Sequence, residues 1–308
     1  MKARCADGEL VSIWDMFLEA RRGVPPAGAG ECAAPKLLNY AFENGLRPVC
    51  MAEFWMGESP YAEIRSEGRF YPACNSKCGP ILKRMMRGMD VESNPLELPM
   101  AANPVLKIVY EDEWLLIADK PHGLVTVSEN AGQESLMSMV GAVRAITGPG
   151  YVHRLDQATS GLVVIAKDKE THAAMQRLFE ERKVSKKYVA VVEGRVDKPQ
   201  GAIRLPLIPN IEDRPRQMVD FVRGKEAVTS YVVVDAGEDR TRVHLYPLTG
   251  RTHQLRVHMA SPLGLGHPIV GDNLYGELGE RLLLHAEMVK FRHPRTGAEV
   301  IVESPADF

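Results

Sequence analysis

No apolar run in the 308-residue chain approaches the length of a membrane span, and the opening MKARCADGEL lacks the apolar stretch of a signal peptide. Glycine-rich phosphate loops are missing, as are His, Cys and carboxylate groups at the spacing of a metal site. Cysteine is scarce: there are five, an odd number, at positions 5, 32, 50, 74 and 78. That is not a disulfide framework, and a reducing cytoplasm is the expected setting. Excess positive charge is also lacking, with 38 Lys and Arg against 40 Asp and Glu and a pI near 6.5. Dividing the chain changes little, because residues 1–103 carry 12 basic against 13 acidic side chains. A strongly basic nucleic-acid binder is therefore not advertised by the average, although phosphate binding needs only a local basic face. Two such clusters exist: Arg177, Arg182, Lys183, Lys186 and Lys187, and Arg214, Arg216, Arg223 and Lys225. Taken alone, the plainer reading of each is a solvated surface patch.

What is present divides into two textures. Residues 1–98 are irregular, with short helices expected near 12–22 and 80–89. Asn94-Pro95 and Asn103-Pro104 bracket a linker, so an N-terminal appendage (1–98) and a second domain (99–308) are expected. From residue 105 short strands and turns dominate. Strands are expected at 105–110, 114–119, 161–167, 187–192, 229–234, 242–246, 282–290 and 299–302. The run 161–167 (GLVVIAK) is continuously apolar, as a buried strand requires. A helix at 170–182 would turn Ala173, Ala174, Leu178 and Phe179 inward, and a short helix is expected at 252–259. Strands outnumber helices too heavily for βα alternation. The expected class is α+β with an extended, mostly antiparallel mixed sheet flanked by helices and loops.

Two polar constellations stand out. The first, YVHRLDQATSG (151–161), places His153, Arg154 and Asp156 in a loop held by the buried strand. By spacing alone, Asp156 could equally cap a turn with Thr159 and Ser160, and Arg154 could pair with it. The second, LTGRTHQLRVH (248–258), crowds Arg251, His253, Gln254, Arg256 and His258 onto one short element. Its two histidines are five residues apart, which does not suit a shared metal. In the first region Cys74 and Cys78, with Cys50 or Cys32, could ligate zinc, but the spacing is loose and structural cysteines are the plainer reading.

Together HRLDQATSGLVVIAKD, KKYVAVVEG (186–194), PLTGRTHQLRVHMAS and LGHPIVGDNLYG resemble the ordered motifs of the RluA-type RNA pseudouridine synthases. The resemblance runs from about residue 104 to 308 and is nearest the branch that modifies a 23S rRNA loop and a tRNA anticodon stem-loop. It implies the pseudouridine synthase fold and an isomerase that converts uridine to pseudouridine without metal or other cofactor. Asp156 takes the place of the family's reactive aspartate, Arg256 that of the arginine paired with it, and Tyr188 that of the tyrosine stacked on the base. Arg154 matches the residue that fills the space left by the flipped nucleotide. His153, Lys186, Lys187, Arg251, His253 and Gln254 are the further RNA-binding candidates, and Leu284 a wall of the uracil pocket. RNA is the implied partner, from 23S rRNA or a tRNA stem-loop, with no DNA and no membrane, and the chain is expected to act as a monomer. A catalytically silent RNA-binding or folding protein on the same scaffold is the competing expectation. The segment AEFWMGESPYAEIRSEGRFYPACNSKCGPILKRM (52–85) resembles one found ahead of the catalytic domain in longer bacterial members, whose usual helical insertion is missing here.

Overall fold

A computed structural model describes residues 1–308 except 21, 59–63, 65–66, 69, 72, 74–76, 92–100, 102, 129–132 and 212. The chain forms two compact units, Met1–Glu97 with Ile208–Met218, and Leu98–Leu207 with Val219–Phe308.

In the first unit, β1 (Lys2–Arg4) and β2 (Leu10–Ser12) form an antiparallel hairpin that leads into α1 (Ile13–Glu19). Ser12 starts that helix because its side chain accepts a hydrogen bond from the Asp15 amide. Helices α2 (Ala33–Glu43) and α3 (Gly79–Met85) complete the unit, whose core includes Met16, Phe17, Leu38, Ile81 and Met85. Cys5 and Cys78 are buried in that core, so their thiols act as small apolar groups. Cys32 is half-buried and Cys50 exposed, while Cys74 lies outside the described residues. Helix α2 went unforeseen, because Pro35 near its start and its mixed polarity hide the period.

The second unit is built on one nine-stranded sheet. Its strands are β3 (Lys107–Glu111), β4 (Leu115–Lys120), β5 (Ser160–Ala166), β6 (Ser185–Glu193) and β7 (Gln200–Arg204). A separate short hairpin of β8 (Leu207–Pro209) and β9 (Gln217–Val219) follows, most of which, Ile208–Met218, counts with the first unit. The large sheet resumes with β10 (Val228–Ala236), β11 (Arg240–Pro247), β12 (Leu284–Arg292) and β13 (Glu299–Glu303). Helices α4 (Leu136–Val143), α5 (Lys169–Glu180) and α6 (Gln254–Ala260) accompany it. Strand order is β3-β4-β5-β12-β6-β11-β10-β7, with β13 also on β12. The expected α+β class with a mostly antiparallel mixed sheet is what the chain adopts.

One junction is parallel, β5 on β12, with Ser160 opposite His285 and Gly161 opposite Ala286. Gly161 has φ +112°, and a Cβ there would stand 2.4 Å from the Ala286 carbonyl oxygen, so only glycine permits this approach. β6 then lies on the far edge of β12, with Tyr188 opposite Ala286. The crossover thus brings the start of β5 within one strand of Tyr188.

The helical face of α5 differs from expectation. Thr171 and Met175 are the buried positions, Leu178 and Phe179 are partly buried, and Ala173 faces solvent. The helix starts one residue earlier than the apolar pattern suggests, because Asp168 caps it by accepting from the Thr171 amide and hydroxyl.

Candidate active site

The segment before β5 folds back along that strand, with Val152 and Gly150 hydrogen-bonded to Val164 and Ala166. Asp156 sits at the turn where the chain reverses, its carbonyl accepting from the Thr159 amide at 3.1 Å. The backbone therefore makes the turn and the carboxylate is left for other contacts. Its side chain is 26% exposed, and Oδ2 faces Arg256 Nη1 and His253 Nε2, each at 4.0 Å.

Arg256 projects from α6 and is buried. Its shortest contacts are not to Asp156: Nε donates to Asp272 Oδ2 at 2.8 Å and Nη2 to Asp272 Oδ1 at 2.6 Å. Burial opposes the arginine's charge, but Asp272 and more distant Asp156 outweigh it and raise the guanidinium above its ordinary range. Asp272 is itself fully buried and accepts from the amides of Leu274 and Tyr275. Those bonds and the arginine hold its carboxyl below the usual carboxylate range in spite of burial. Arg256 is thus fixed by a two-pronged bond on one side and presents its remaining nitrogen to Asp156 on the other. The Tyr275 ring lies 5.4 Å from the guanidinium carbon. Tyr188 packs in one cluster with Leu155 and Ala286, and burial, helped by the Asp156 charge, pushes its phenol up.

A family model described as RNA pseudouridylate synthase matches residues 114–261, a span that holds Asp156, Tyr188 and Arg256. The dual-specificity RNA pseudouridine synthase RluA of Escherichia coli K12 is 43% identical over 211 residues, which is 67% of this chain and 95% of that protein. Its counterpart in Haemophilus influenzae is 42% identical over 226 residues, covering 71% of this chain and 99% of the relative. The chain belongs to the RNA pseudouridine synthase family. A solved structure, human RNA pseudouridylate synthase domain containing 1, superposes on 66% of this synthase and 84% of its own chain, with a TM-score of 0.55 and 31% identity. The synthase is therefore an isomerase acting on RNA.

The remaining residues singled out in the sequence are dispersed by the synthase fold. Arg154 is exposed two residues from Asp156, and Arg251 is exposed with Nε on the Glu226 carbonyl. Lys187 is held between Glu287 at 3.1 Å and Glu303 at 3.6 Å, and Lys186 lies 5.9 Å over the Phe179 ring. Gln254 is buried with its amide wholly engaged: its nitrogen donates to Val228 and Thr229, and its oxygen accepts from Thr249 and Arg251. His153 accepts from the Val164 amide through Nε2 and stacks 5.0 Å from Phe179, and burial pushes it down to about 3. It is a neutral brace between loop and strand. Leu284 is buried on β12, on the same face as Ala286.

The part of the site that sequence reasoning missed is the support beneath Asp156. Thr126 Oγ1 accepts from the Leu155 amide at 3.1 Å and donates to the Leu155 carbonyl at 3.0 Å. On the other flank the Gly123 amide donates to the Gln157 carbonyl, and the Gln157 side chain donates back to the Gly123 carbonyl. Beneath both, buried Lys120 donates to the carbonyls of Pro121, Leu124 and Gln157. Burial pushes Lys120 down to about 7, with Asp156 and Asp119 opposing, and three carbonyl acceptors suit the three donors of an ammonium group. Nothing in the KPHGLVT stretch announces this, because the partners are about thirty residues away in sequence.

Thr126→Val keeps the volume but orphans a buried amide, which costs about 1–3 kcal/mol. We expect a lower melting temperature and a single-turnover rate reduced about tenfold, because loss of positioning is paid in rate. Thr126→Ser should retain both values. Thermal melts and rapid-quench assays on the two variants check this.

Proposed function

We propose that the synthase converts specific uridines of ribosomal or transfer RNA to pseudouridine, with Asp156 acting on the ribose as nucleophile at C1′ or base at C2′. The observation that carries this is a half-buried carboxylate faced by a fixed guanidinium, with Tyr188 nearby on β6. In the reaction the N1–C1′ bond breaks, the uracil turns, C5 bonds to C1′, and the C5 proton is lost while N1 gains one. Atoms balance, and no outside oxidant or reductant is required. Arg256 faces the carboxylate and aims it. Tyr188, its phenol held protonated, suits stacking on the base better than removing a proton from it in the resting site. Arg154, exposed two residues from Asp156, would stack where the flipped nucleotide has left, and Arg251 would meet the backbone. Leu284 would wall the uracil.

A 23S rRNA loop and a tRNA anticodon stem-loop are the proposed substrates, in keeping with the motif resemblance and with kinship to two dual-specificity RNA pseudouridine synthases. Action as a monomer is part of the same proposal. Residues 99–308 would carry the chemistry and residues 1–98 tune the choice of RNA. The test is incubation of the full chain with 23S rRNA fragments and tRNAs labelled with tritium at uridine C5. Tritium release confined to one or a few mapped uridines is expected; no release from any of these RNAs would defeat the proposal.

A further inference from the structure

His253 stands in a left-handed backbone conformation (φ 53°, ψ 17°), which among the described non-glycine residues it shares only with Asn103 and Arg182. It begins α6, yet its side chain makes no capping bond. A strained residue that neither caps its helix nor lies open to solvent is held there for some other contact. Two contacts are present. Nδ1 is 2.9 Å from the Tyr275 hydroxyl, with the rings edge to face, and Nε2 is 4.0 Å from Asp156 Oδ2. Arg256 Nη1 approaches that same oxygen at 4.0 Å. Tyr275 is tied to the arginine's own support, because its amide donates to Asp272 at 3.1 Å and its ring faces the guanidinium. One short loop therefore orients both groups that face the carboxylate.

We propose that His253 is a positioning residue for Asp156, its Nε2–H and Arg256 Nη1 both facing Oδ2 at 4.0 Å so that Oδ1 is left to meet the ribose. The inference rests on Asp156 being the reactive carboxylate. A carboxylate next to Nε2 favours the tautomer with the proton there, so the Tyr275 hydroxyl donates to Nδ1 and locks the ring. Burial pushes the imidazole down to about 4, which keeps it neutral at neutral pH. A neutral imidazole steers the carboxylate without setting a second full charge beside it. One facing group alone leaves the carboxylate free to swivel about its terminal bond, whereas two groups facing Oδ2 from different directions favour one orientation of its plane.

The test uses the full chain. His253→Asn tolerates the left-handed backbone and can still reach Tyr275, but ends short of Asp156. His253→Gln extends its amide to about the place of Nε2. In single-turnover assays on saturating RNA we expect His253→Asn to slow isomerisation about 30-fold, within the range for lost orienting partners. RNA affinity and melting temperature should stay near those of the wild type. His253→Gln should regain about tenfold of the loss, and Tyr275→Phe should slow the reaction while adding nothing on top of His253→Asn. Should His253→Asn fold poorly, Tyr275→Phe carries the test, since it leaves the strained backbone untouched. The proposal is overturned by wild-type turnover in a folded His253→Asn or Tyr275→Phe, by a loss confined to RNA affinity, or by a Gln variant no better than Asn. Asp156→Asn serves as control: full turnover there removes the underlying reading, whereas an inert control beside an active His253→Asn removes this inference alone.

Discussion

Asp156→Ala is expected to abolish isomerisation, by about four orders of magnitude or more, while RNA binding and the fold survive. The chemical part follows from removing the group proposed to act on the ribose. The structural part follows from the geometry around Arg256. Its two shortest bonds go to Asp272, so deleting Asp156 does not leave a buried guanidinium without a partner. The Asp156 carbonyl, not its side chain, closes the turn before β5, so the loop keeps its shape. Tritium release from labelled RNA, filter binding and a thermal melt measure the three quantities. Turnover persisting in the variant would show that another group does the chemistry. A silent RNA-binding protein on this scaffold predicts the opposite pattern, with no release even from the wild type.

Arg256→Lys should slow the reaction by about 100-fold to 1,000-fold and lower stability by about 2 kcal/mol, although the charge is kept. The guanidinium uses Nε and Nη2 on Asp272 and turns Nη1 to Asp156. An ammonium group cannot span both oxygens of Asp272 and still present a donor in the third direction. It would settle on one carboxylate, and the site is buried enough that water cannot fill the gap. The melting temperature should fall by roughly 4–8 °C, on the scale of about 2–4 °C per kcal/mol for a unit of this size. The rate should fall in kcat rather than in RNA affinity, because Arg256 is too deep to meet a phosphate. Equal rates for the two proteins would mean that charge alone matters at this position. A loss seen only in binding would place the arginine in RNA recognition.

Much of this was legible in the chain. The buried strand appeared as an unbroken apolar run, the α+β class as an excess of short Val-rich and Tyr-rich segments, and the site as two polar clusters about a hundred residues apart. Residue types sufficed for these because strand burial and turn formation are local. They did not suffice where a side chain's partner is remote. Gln254 and Arg256 sit two apart on α6 in one donor-rich motif, yet one is consumed by the backbone of β10 and the other faces Asp156. Lys187 reads as a phosphate ligand until Glu287 and Glu303 are brought beside it from β12 and β13.

The amino-acid order alone determined the family and the strand-rich class and pointed to the candidate carboxylate, since each rests on contiguous motifs. Tertiary structure decided which group holds which. The parallel junction of β5 with β12, passable only at Gly161, brings the Asp156 turn near Tyr188. The loop at 272–275 then assigns Arg256 first to Asp272 and only secondarily to Asp156. Sequence spacing carries no information on such pairings, because buried charges choose partners by distance and direction in the folded chain, and both are set by strand order.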